Sequence, residues 1–413
     1  MSEKEYISEN ISTPVTKTCR VLVAGGGVGG IAAALAAARH GADVLLLERE
    51  FALGGLATLG LITYYLPICD GRGHQIIYGI GEELLRLSVL HGHEGKFPQA
   101  WFDGGDDEES RKERISKRFR VGFNAPLFML ETEALLLRSG VRILYGTSVV
   151  AATTENGKIT HVICENKSGR FAVKCGVVVD ATGDADAAKL AGAETAEFSQ
   201  GNVLAAWYYF YNEAGRQIKV LGASDIPEED KPTSKPRTYL SPERFSGLDG
   251  DEISRMNCLS HAATLGDWKA AHLADPTLYP DAIPSIPQLR MTRRIVGTVT
   301  PDTSDDRRHF DDSIGLSGHW RKRGPVYEIP FGSIRSVNIK NLLAAGRDTA
   351  ATDAMWDNVR VIPTCAVTGE AAGTAAAMFD DFSALSKSDI KDLQEELRRG
   401  GVRIHVGEIP GLD

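Results

Sequence analysis

The chain has 413 residues, which is enough for two or three domains or for one large intertwined fold. Its 46 Lys and Arg residues against 55 Asp and Glu residues give a net charge of −9 without any basic tract, which is atypical of nucleic-acid binders and of proteins held on anionic membranes. No apolar run reaches the roughly 18 residues that a membrane-spanning helix needs.

The N-terminal segment and the cysteines bear on the cellular compartment. Residues 1–17 are polar and contain no apolar core of a secretory signal, so we do not expect secretion. The cysteines form no CxxC pair and have no metal-ligand spacing, which predicts free thiols in a reducing, cytoplasmic compartment and no metal centre. The six cysteines are Cys19, Cys69, Cys164, Cys175, Cys258 and Cys365.

The first structured segment is a strand–turn–helix–strand unit. Residues 20–24 (RVLVA) are typical of a buried parallel strand, and an Ala-rich helix and a second apolar strand follow the turn. Within the turn, Gly25, Gly27 and Gly30 match G-x-G-x-x-G, whose glycines allow the bend, the approach of a pyrophosphate and close helix–strand packing. Glu48, at the end of the second strand, suits a ribose hydroxyl and would repel a 2′-phosphate. The pattern predicts a dinucleotide site, with a glycine-rich turn of another α/β fold as the alternative.

The middle of the chain continues the α/β rhythm. In chain order we predict a second glycine-rich patch, a helix, a polar excursion, a helix, a strand, a hairpin and a further buried strand that runs into residues 181–184. These segments are 52–60, 79–90, 91–119, 124–139, 141–145, 158–175 and 177–180.

The rhythm lapses between residues 194 and 330, where aromatic strands such as 207–211 alternate with Pro-rich loops, and this predicts an inserted second domain. It returns at residues 341–346. A small-residue helix over 367–379 and an amphipathic helix over 388–399 complete the chain.

A pattern of four parts resembles one family. The first glycine motif is followed by residues 54–58 (GGLAT), 177–184 and 343–348 (LAAGRD), and residues 359–365 (VRVIPTC) then add to the stretch most specific to the branch. In this combination the chain resembles the FAD-dependent oxidoreductases of the glutathione-reductase-like superfamily, in the branch with fumarate-reductase-like and tricarballylate-dehydrogenase-like relatives. The resemblance extends over almost the whole chain.

The resemblance implies an α/β fold, with a Rossmann-type FAD-binding domain and an inserted α+β substrate domain. It implies that residues 17–90, 120–193 and 335–385 bind FAD, that 194–334 form the substrate or cap domain with 91–119 as an excursion, and that 386–413 are a C-terminal helix and tail. The implied cofactor-binding residues are Gly25, Gly27, Gly30, Glu48, Arg49, Gly55, Ala57, Thr58, Val149, Ala181, Gly183, Asp184, Gly346, Arg347, Asp348, Pro363 and Thr364.

Some of these residues have a more specific implied role. Val149 is expected to contact adenine through its backbone, and Asp348, where many relatives have a neutral residue, to bond ribityl hydroxyls. The helix that begins near Pro363 and Thr364 is expected to direct its N-terminus at the flavin N1/O2 edge, where negative charge develops on reduction.

Two segments supply candidates for catalysis. Residues 288–295 alternate, so that a strand there would place Arg290 and Arg294 on one face, able to clamp a carboxylate or polarise a carbonyl, although structural ion pairs are the equal alternative. Arg72 and His74 lie in a loop characteristic of the branch, where a histidine can serve as acid or base, or simply bond backbone. Arg360 and Tyr327, in or beside matching motifs, are further candidates for contacts with substrate or flavin.

No second strand followed by G-x-G-x-x-G is found, so we predict no built-in NAD(P)H domain and a separate electron acceptor: oxygen, a quinone, a carrier protein or a second metabolite. The predicted function is hydride transfer between flavin N5 and a small polar metabolite, a hydroxy or carboxylic acid or a sugar-like compound. One alternative is an isomerase or an RNA-modifying enzyme that uses FAD or NAD; the acidity of the chain argues against RNA as a substrate. The other alternative is a non-catalytic dinucleotide-binding protein. The oligomeric state stays open, with a homo-oligomer as one alternative.

Overall fold

The computed structural model describes residues 5–90, 99–104, 107–223 and 239–412. In these ranges the strands are β1 (Val15–Ala24), β2 (Val44–Leu47), β3 (Tyr64–Tyr65), β4 (Val121–Gly122), β5 (Arg142–Leu144), β6 (Ser148–Glu155), β7 (Lys158–Asn166), β8 (Gly169–Asp180), β9 (Thr195–Glu197), β10 (Asn202–Val203), β11 (Ala206–Asn212), β12 (Gly215–Gly222), β13 (Arg244–Phe245), β14 (Tyr279–Ala282), β15 (Arg293–Ile295), β16 (Ser313–Gly318), β17 (Val326–Pro330) and β18 (Leu342–Ala344). The helices are α1 (Val28–Arg39), α2 (Gly79–Val89), α3 (Ala100–Asp103), α4 (Glu108–Ser116), α5 (Ala125–Arg138), α6 (Asp186–Leu190), α7 (Gly250–Ala274), α8 (Asp353–Val359), α9 (Ile362–Met378) and α10 (Lys387–Arg399).

The central sheet places the carboxyl ends of its strands at one edge. Strands β5, β2, β1 and β8 pair in that order and all run parallel, and β18 adds parallel to the last three residues of β8. The first half of β8 pairs antiparallel with β7, which pairs with β6. This is a Rossmann-type α/β fold, as predicted.

The long strand β8 differs from the sequence-based prediction. Its two halves were expected as separate strands, 171–175 and 177–180, but the structure continues one strand through Gly176. The reason is that β1 pairs with one edge of β8 from Ala172 to Asp180. On the other edge, β7 pairs with the first half of β8 and β18 pairs with its last three residues.

Close packing of α1 on α9 positions the N-termini of both helices. A Cβ atom built at Gly369 would lie 2.3 Å from the carbonyl oxygen of Gly29, and one at Gly373 would lie 2.1 Å from that of Ala33. Only glycine permits this backbone approach. Both helices therefore bring their first residues to the same edge of the sheet.

The segment expected as a second domain forms several small sheets. One has the order β12–β11–β14, and its β11 includes the predicted aromatic strand. The hairpin of β16 and β17 is different, because its buried residues Ile314, Leu316 and Ile329 belong to the same hydrophobic cluster as α1 and α9. The division into domains stays a prediction, and this packing favours an end of the inserted segment before β16.

The remaining elements are peripheral to the sheet. Part of the predicted excursion 91–119 lies outside the described residues, and its described part contains α3 and α4. Helix α10 packs on α9 through buried Leu393 and Leu397. Within the described ranges, no helix combines the length and the apolar composition that crossing a bilayer would require.

Glu370 makes a pH-dependent contribution to this fold. It lies buried in α9, its Oε2 accepts the N–H of Ile80 at 2.8 Å in the first turn of α2, and burial raises its pKa from 4.5 to about 8. Between these pH values the folded chain keeps a proton that the unfolded chain has lost, so stability falls as pH rises, by at most about 1.4 kcal/mol per pH unit. Glu370→Gln keeps the acceptor and removes the ionisation.

We therefore expect the free energy of unfolding of the wild type, measured in urea, to fall relative to that of Glu370→Gln by roughly 2 to 4 kcal/mol as the pH rises from 5 to 8. Glu395→Gln is the matched control, because Glu395 is an exposed carboxylate paired with Arg399. Parallel stability curves for wild type and Glu370→Gln would contradict the buried ionisation.

Candidate cofactor and substrate site

The glycine turn between β1 and α1 has the local geometry that its spacing predicts. Gly25 has φ +104°, and a Cβ there would lie 2.4 Å from the carbonyl oxygen of Ala181. A Cβ at Gly30 would lie 1.9 Å from the carbonyl oxygen of Gly25. At Gly27 the same construction meets no atom within 4 Å, so its Cβ position opens into free space. Two glycines thus shape the turn, and the third keeps the space in front of it clear.

Glu48 is held rigidly beside this turn. Its Oε2 accepts the N–H of Gly26 at 2.7 Å and its Oε1 accepts that of Glu50 at 2.8 Å, while only 7% of the residue is exposed. Burial raises the pKa of Glu48, although both backbone bonds act against this. Each oxygen keeps a further lone pair, so the side chain can still accept from a ribose hydroxyl.

A cavity of about 750 Å³ runs along the carboxyl edge of the sheet, from Glu48 and Val149 past the glycine turn to Arg360 and Cys365. This volume is that of a typical cofactor pocket. Twelve predicted residues line it: Gly25, Gly27, Glu48, Arg49, Gly55, Ala57, Val149, Ala181, Gly183, Asp184, Gly346 and Arg347. Residues from four distant parts of the sequence therefore form one site.

The N-terminal turns of α1 and α9 both contribute to the cavity wall, through Val28 and Gly29 in α1 and Ile362 and Cys365 in α9. The first N–H groups of a helix have no partner within the helix and carry partial positive charge. The cavity is thus suited to a ligand with negative charge at two places.

Arg347 closes the wall between these helices. Its Nε donates to the carbonyl of Gly183 at 2.9 Å, its Nη2 pairs with Asp184 at 2.7 Å, and its Nη1 donates to the carbonyl of Leu289. Asp184 also accepts from the hydroxyl of Thr292. Arg347 therefore links the turn that follows β8, at Gly183 and Asp184, to Leu289 in the inserted segment.

An arginine cluster adjoins the cavity through Arg360, which lines it; Arg290, Arg321 and Trp207 are not among the lining residues. The guanidiniums of Arg321 and Arg360 both pair with buried Asp357, the former at 2.6 Å. The Arg290 guanidinium lies 5.2 Å over the ring of Trp207. Burial, followed by the charges of Arg360 and Arg347, lowers the pKa of Arg290 to about 9, with Asp357 alone opposing.

Three donors in this cluster lack acceptors. The Nε atoms of Arg290 and Arg360 and the Nε1 of Trp207 are inaccessible to solvent and have no hydrogen-bond partner among the described residues. Buried donors without acceptors are costly, so this group is a candidate contact for a ligand oxygen.

The comparison with protein families identifies the cofactor. The profile of the FAD dependent oxidoreductase family matches residues 20–205 and 251–397, which is most of the chain. The chain belongs to this family. It is accordingly an FAD-dependent oxidoreductase, as the sequence motifs predicted.

Individual relatives of this flavoenzyme are distant. A thioredoxin reductase from Ureaplasma parvum is 27% identical over 158 residues, which cover 38% of this chain and 42% of that enzyme, so less than half of its length is matched. Among solved structures, p-nitrophenol 4-monooxygenase PnpA from Pseudomonas putida is 12% identical with a TM-score of 0.47, covering 93% of this chain and 86% of that one. A geranylgeranyl bacteriochlorophyll reductase-like protein from Thermoplasma acidophilum is 13% identical with a TM-score of 0.43, covering 93% and 83%.

The residues of the cavity fit FAD. The clear space at Gly27 and the N-terminus of α1 suit the pyrophosphate, and Glu48 suits the adenosine ribose. At the other end, the N-terminal turn of α9 suits the flavin edge on which charge accumulates. These individual roles remain predictions, since the structure establishes only that the residues line one cavity.

Five predicted cofactor residues do not line the cavity. Gly30 lies inside α1, Pro363 is buried in the first turn of α9, and the hydroxyl of Thr58 donates to the carbonyl of Leu53 at 2.5 Å. Thr364 pairs with Ser317 at 2.8 Å. These four support the walls.

Asp348, the fifth, is fully buried beside Asp180, away from the cavity, so its placement does not favour the expected ribityl contact. Burial, followed by the charge of Asp180, raises the pKa of Asp348 well above its usual value. Asp180 accepts N–H groups of Thr182 and Ala188, which favours the charged form on that side of the pair. These contacts favour the neutral form at Asp348, and its burial makes it a packing element.

The loop with Arg72 and His74 lies away from the cavity lining. Nδ1 of His74 contacts Asp70 at 2.8 Å, and a Cβ at Gly411 would lie 3.4 Å from its Nε2. The Arg72 side chain is exposed, and its N–H donates to Asp70. Neither residue lines the cavity, so the expectation that one of them faces the flavin is not supported, and a histidine that stabilises its own loop fits this geometry better.

The predicted strand through Arg290 and Arg294 is wrong. Only Arg293–Ile295 forms a strand, because the Asn202 side chain accepts the N–H groups of Arg290 and Met291 at 2.9 and 3.1 Å and replaces a strand ladder there. Arg290 joins the arginine cluster, whereas Arg294 lies over Trp356 and approaches Asp353 at 3.5 Å. The arginine that neighbours Arg290 in this cluster is therefore Arg360 and not Arg294. The sequence analysis named Arg360 only as a further candidate.

Proposed function

We propose that this flavoenzyme transfers a hydride between FAD and a small metabolite that carries a carboxylate. The proposal depends on donors without an acceptor: those of Arg360, which lines the α9 end of the cavity, and of its buried neighbours Arg290 and Trp207, which do not line it. All three are donor-only groups, and a carboxylate offers two oxygens with about four lone pairs. Two guanidiniums beside an indole N–H thus suit a carboxylate better than a neutral hydroxyl.

The charge balance supports an anionic substrate. The electrostatic neighbours that affect Arg290 are Arg360, Arg347 and the single acid Asp357. Burial alone would raise the pKa of Asp357, but the charges and bonds of Arg360 and Arg321 hold it below its usual value, so it stays ionised. Arg347 is compensated by Asp184, but the carboxylate of Asp357 alone faces Arg290, Arg321 and Arg360, and a substrate carboxylate would supply further negative charge.

The roles of the residues follow from their positions. FAD, when bound, supplies a two-electron hydride acceptor or donor at its N5 atom. Arg290 and Arg360 hold the substrate carboxylate and fix its orientation, and Trp207 shields the site from water. The N-terminal turn of α9 stabilises negative charge that develops at this end of the cavity.

The electron acceptor is proposed to be a separate molecule: oxygen, a quinone, a carrier or a second metabolite. Cys365 lines the cavity, but burial raises its pKa to about 12, so it stays a neutral thiol. All six cysteines are free. This does not favour a dithiol relay within the chain. The free thiols also support the proposed cytoplasmic location.

An anaerobic reduction screen tests the proposal. The purified yellow protein is mixed without oxygen with hydroxy acids, saturated and unsaturated carboxylates and neutral polyols, and the visible flavin band is followed; the chemically reduced protein is screened in the same way for reoxidation. We expect at least one carboxylate to bleach or restore the band, while its methyl ester does not. A response to polyols alone would favour the sugar-like alternative and contradict the carboxylate site.

A further inference from the structure

A cluster of two histidines and one glutamate lies outside the cavity lining. His309 precedes β16, Glu328 is in β17, and His405 precedes the short C-terminal 3-10 turn Val406–Glu408. One ligand atom from each side chain lies within 4.8 Å of the other two. Nothing in the flavin chemistry requires this convergence.

The distances resemble those around a tetrahedral ion. Nδ1 of His405 lies 3.0 Å from Oε2 of Glu328, and Nδ1 of His309 lies 3.6 Å from the same oxygen. Ligands bonded at about 2.0–2.1 Å in tetrahedral geometry are about 3.3 Å apart. The two observed distances bracket this value.

The glutamate is held in place for such a role. Only 2% of Glu328 is exposed, its Oε1 accepts the N–H of Val406 at 3.1 Å, and its Oε2 accepts that of Phe310 at 2.8 Å. A buried carboxylate fixed by two backbone donors presents its remaining lone pair in a set direction. Facing it are the two imidazoles, whose ring centroids are 4.5 Å apart.

The histidines also have the expected environment. The second ring nitrogen of His309, Nε2, lies 3.5 Å from Asp311, and metal-bound histidines usually donate that N–H to a carboxylate. The His309 side chain is 61% exposed, so solvent can supply a fourth ligand. Two imidazoles, one carboxylate and water suit zinc and its neighbours better than calcium or magnesium.

We propose that His309, Glu328 and His405 bind one divalent transition-metal ion, with zinc as the ion of choice. The ion binds the lone pair on Nδ1 of each neutral imidazole, whose hydrogen is then on Nε2; any extra proton of an imidazolium is released to solvent, and no electron transfer is involved. It ties the C-terminal segment at residue 405 to β17. The sequence alone predicts no metal centre, since the three ligands are 19 and 77 residues apart and match no metal-binding motif.

The test uses untagged, flavin-loaded protein freed of metal with a chelator and then dialysed. Zn²⁺ is added in a titration calorimeter, and Co²⁺ is added in parallel for its visible absorption as a tetrahedral complex. We expect one equivalent to bind and the thermal midpoint to rise. His309→Ala, at an exposed residue, should weaken binding more than about 100-fold, since loss of an outer partner alone costs 10- to 100-fold.

Two further variants complete the design. Asp311→Asn should weaken binding by about tenfold, as expected for an outer partner. His40→Ala is the matched control, because His40 approaches Glu396 at 3.7 Å and should not affect binding. Flavin absorbance checks folding. Wild-type protein that binds no ion, or that binds it as tightly as His309→Ala, would overturn the proposal.

Discussion

The Gly27→Val variant is expected to fold but to be purified without flavin. Gly27 has φ −66° and ψ 179°, an extended conformation that valine adopts readily, so the backbone is not strained. The added side chain enters the open space in front of α1, where the pyrophosphate is expected. Overpacking of about 3 kcal/mol corresponds to more than about 100-fold weaker cofactor binding. The measurement is the ratio of visible flavin to protein absorbance.

A matched control separates this steric effect from helix destabilisation. Gly266 lies in α7, and a Cβ there also meets no atom within 4 Å, but it does not line the cavity. Gly266→Val should therefore retain full colour. The far-UV spectrum of Gly27→Val should match the wild type. A yellow Gly27→Val protein with unchanged affinity would show that the pyrophosphate does not lie at this turn.

The cofactor half of the site could be predicted from the sequence because its determinants are local. Gly25, Gly27 and Gly30 act through the backbone of a single turn, and Glu48 follows a short strand whose register is set by β1. Spacing alone captures such a unit. The same holds for the start of α9, where Pro363 is typical of a first helical turn.

The substrate half could not be predicted in the same way. The backbone after Leu289 is shaped by a hydrogen bond from the N–H of Arg290 to the side chain of Asn202, 88 residues away. The alternation of residue types around Arg290 does not indicate that bond. His74 was a candidate because of its residue type, but its loop turns toward Asp70 and the C-terminal Gly411. Contacts between residues that are distant in the sequence set the positions of both side chains, and such contacts cannot be inferred from the residue pattern of a single sequence.

The structure separates two arginines that the sequence treats as equivalent, and this leads to the second large effect. Arg290→Gln should raise KM for a carboxylate substrate and lower kcat/KM by roughly 30- to 1000-fold, corresponding to about 2 to 4 kcal/mol for a buried charge contact. Arg294→Gln should change kcat/KM by less than about threefold, because Arg294 pairs with Asp353 over Trp356 and is not part of the arginine cluster, although its Nε also lacks an acceptor among the described residues.

The effect should lie mainly in KM, since a clamp that binds the carboxylate equally in ground and transition states leaves kcat nearly unchanged. Simple dicarboxylates should inhibit the wild type and Arg294→Gln competitively but not Arg290→Gln. Arg290→Lys should recover only part of the affinity, because an ammonium cannot form the paired contact of a guanidinium. Equal losses in Arg290→Gln and Arg294→Gln, with flavin content unchanged in both, would mean that the carboxylate binds elsewhere and that the donors without acceptors around Trp207 have another ligand.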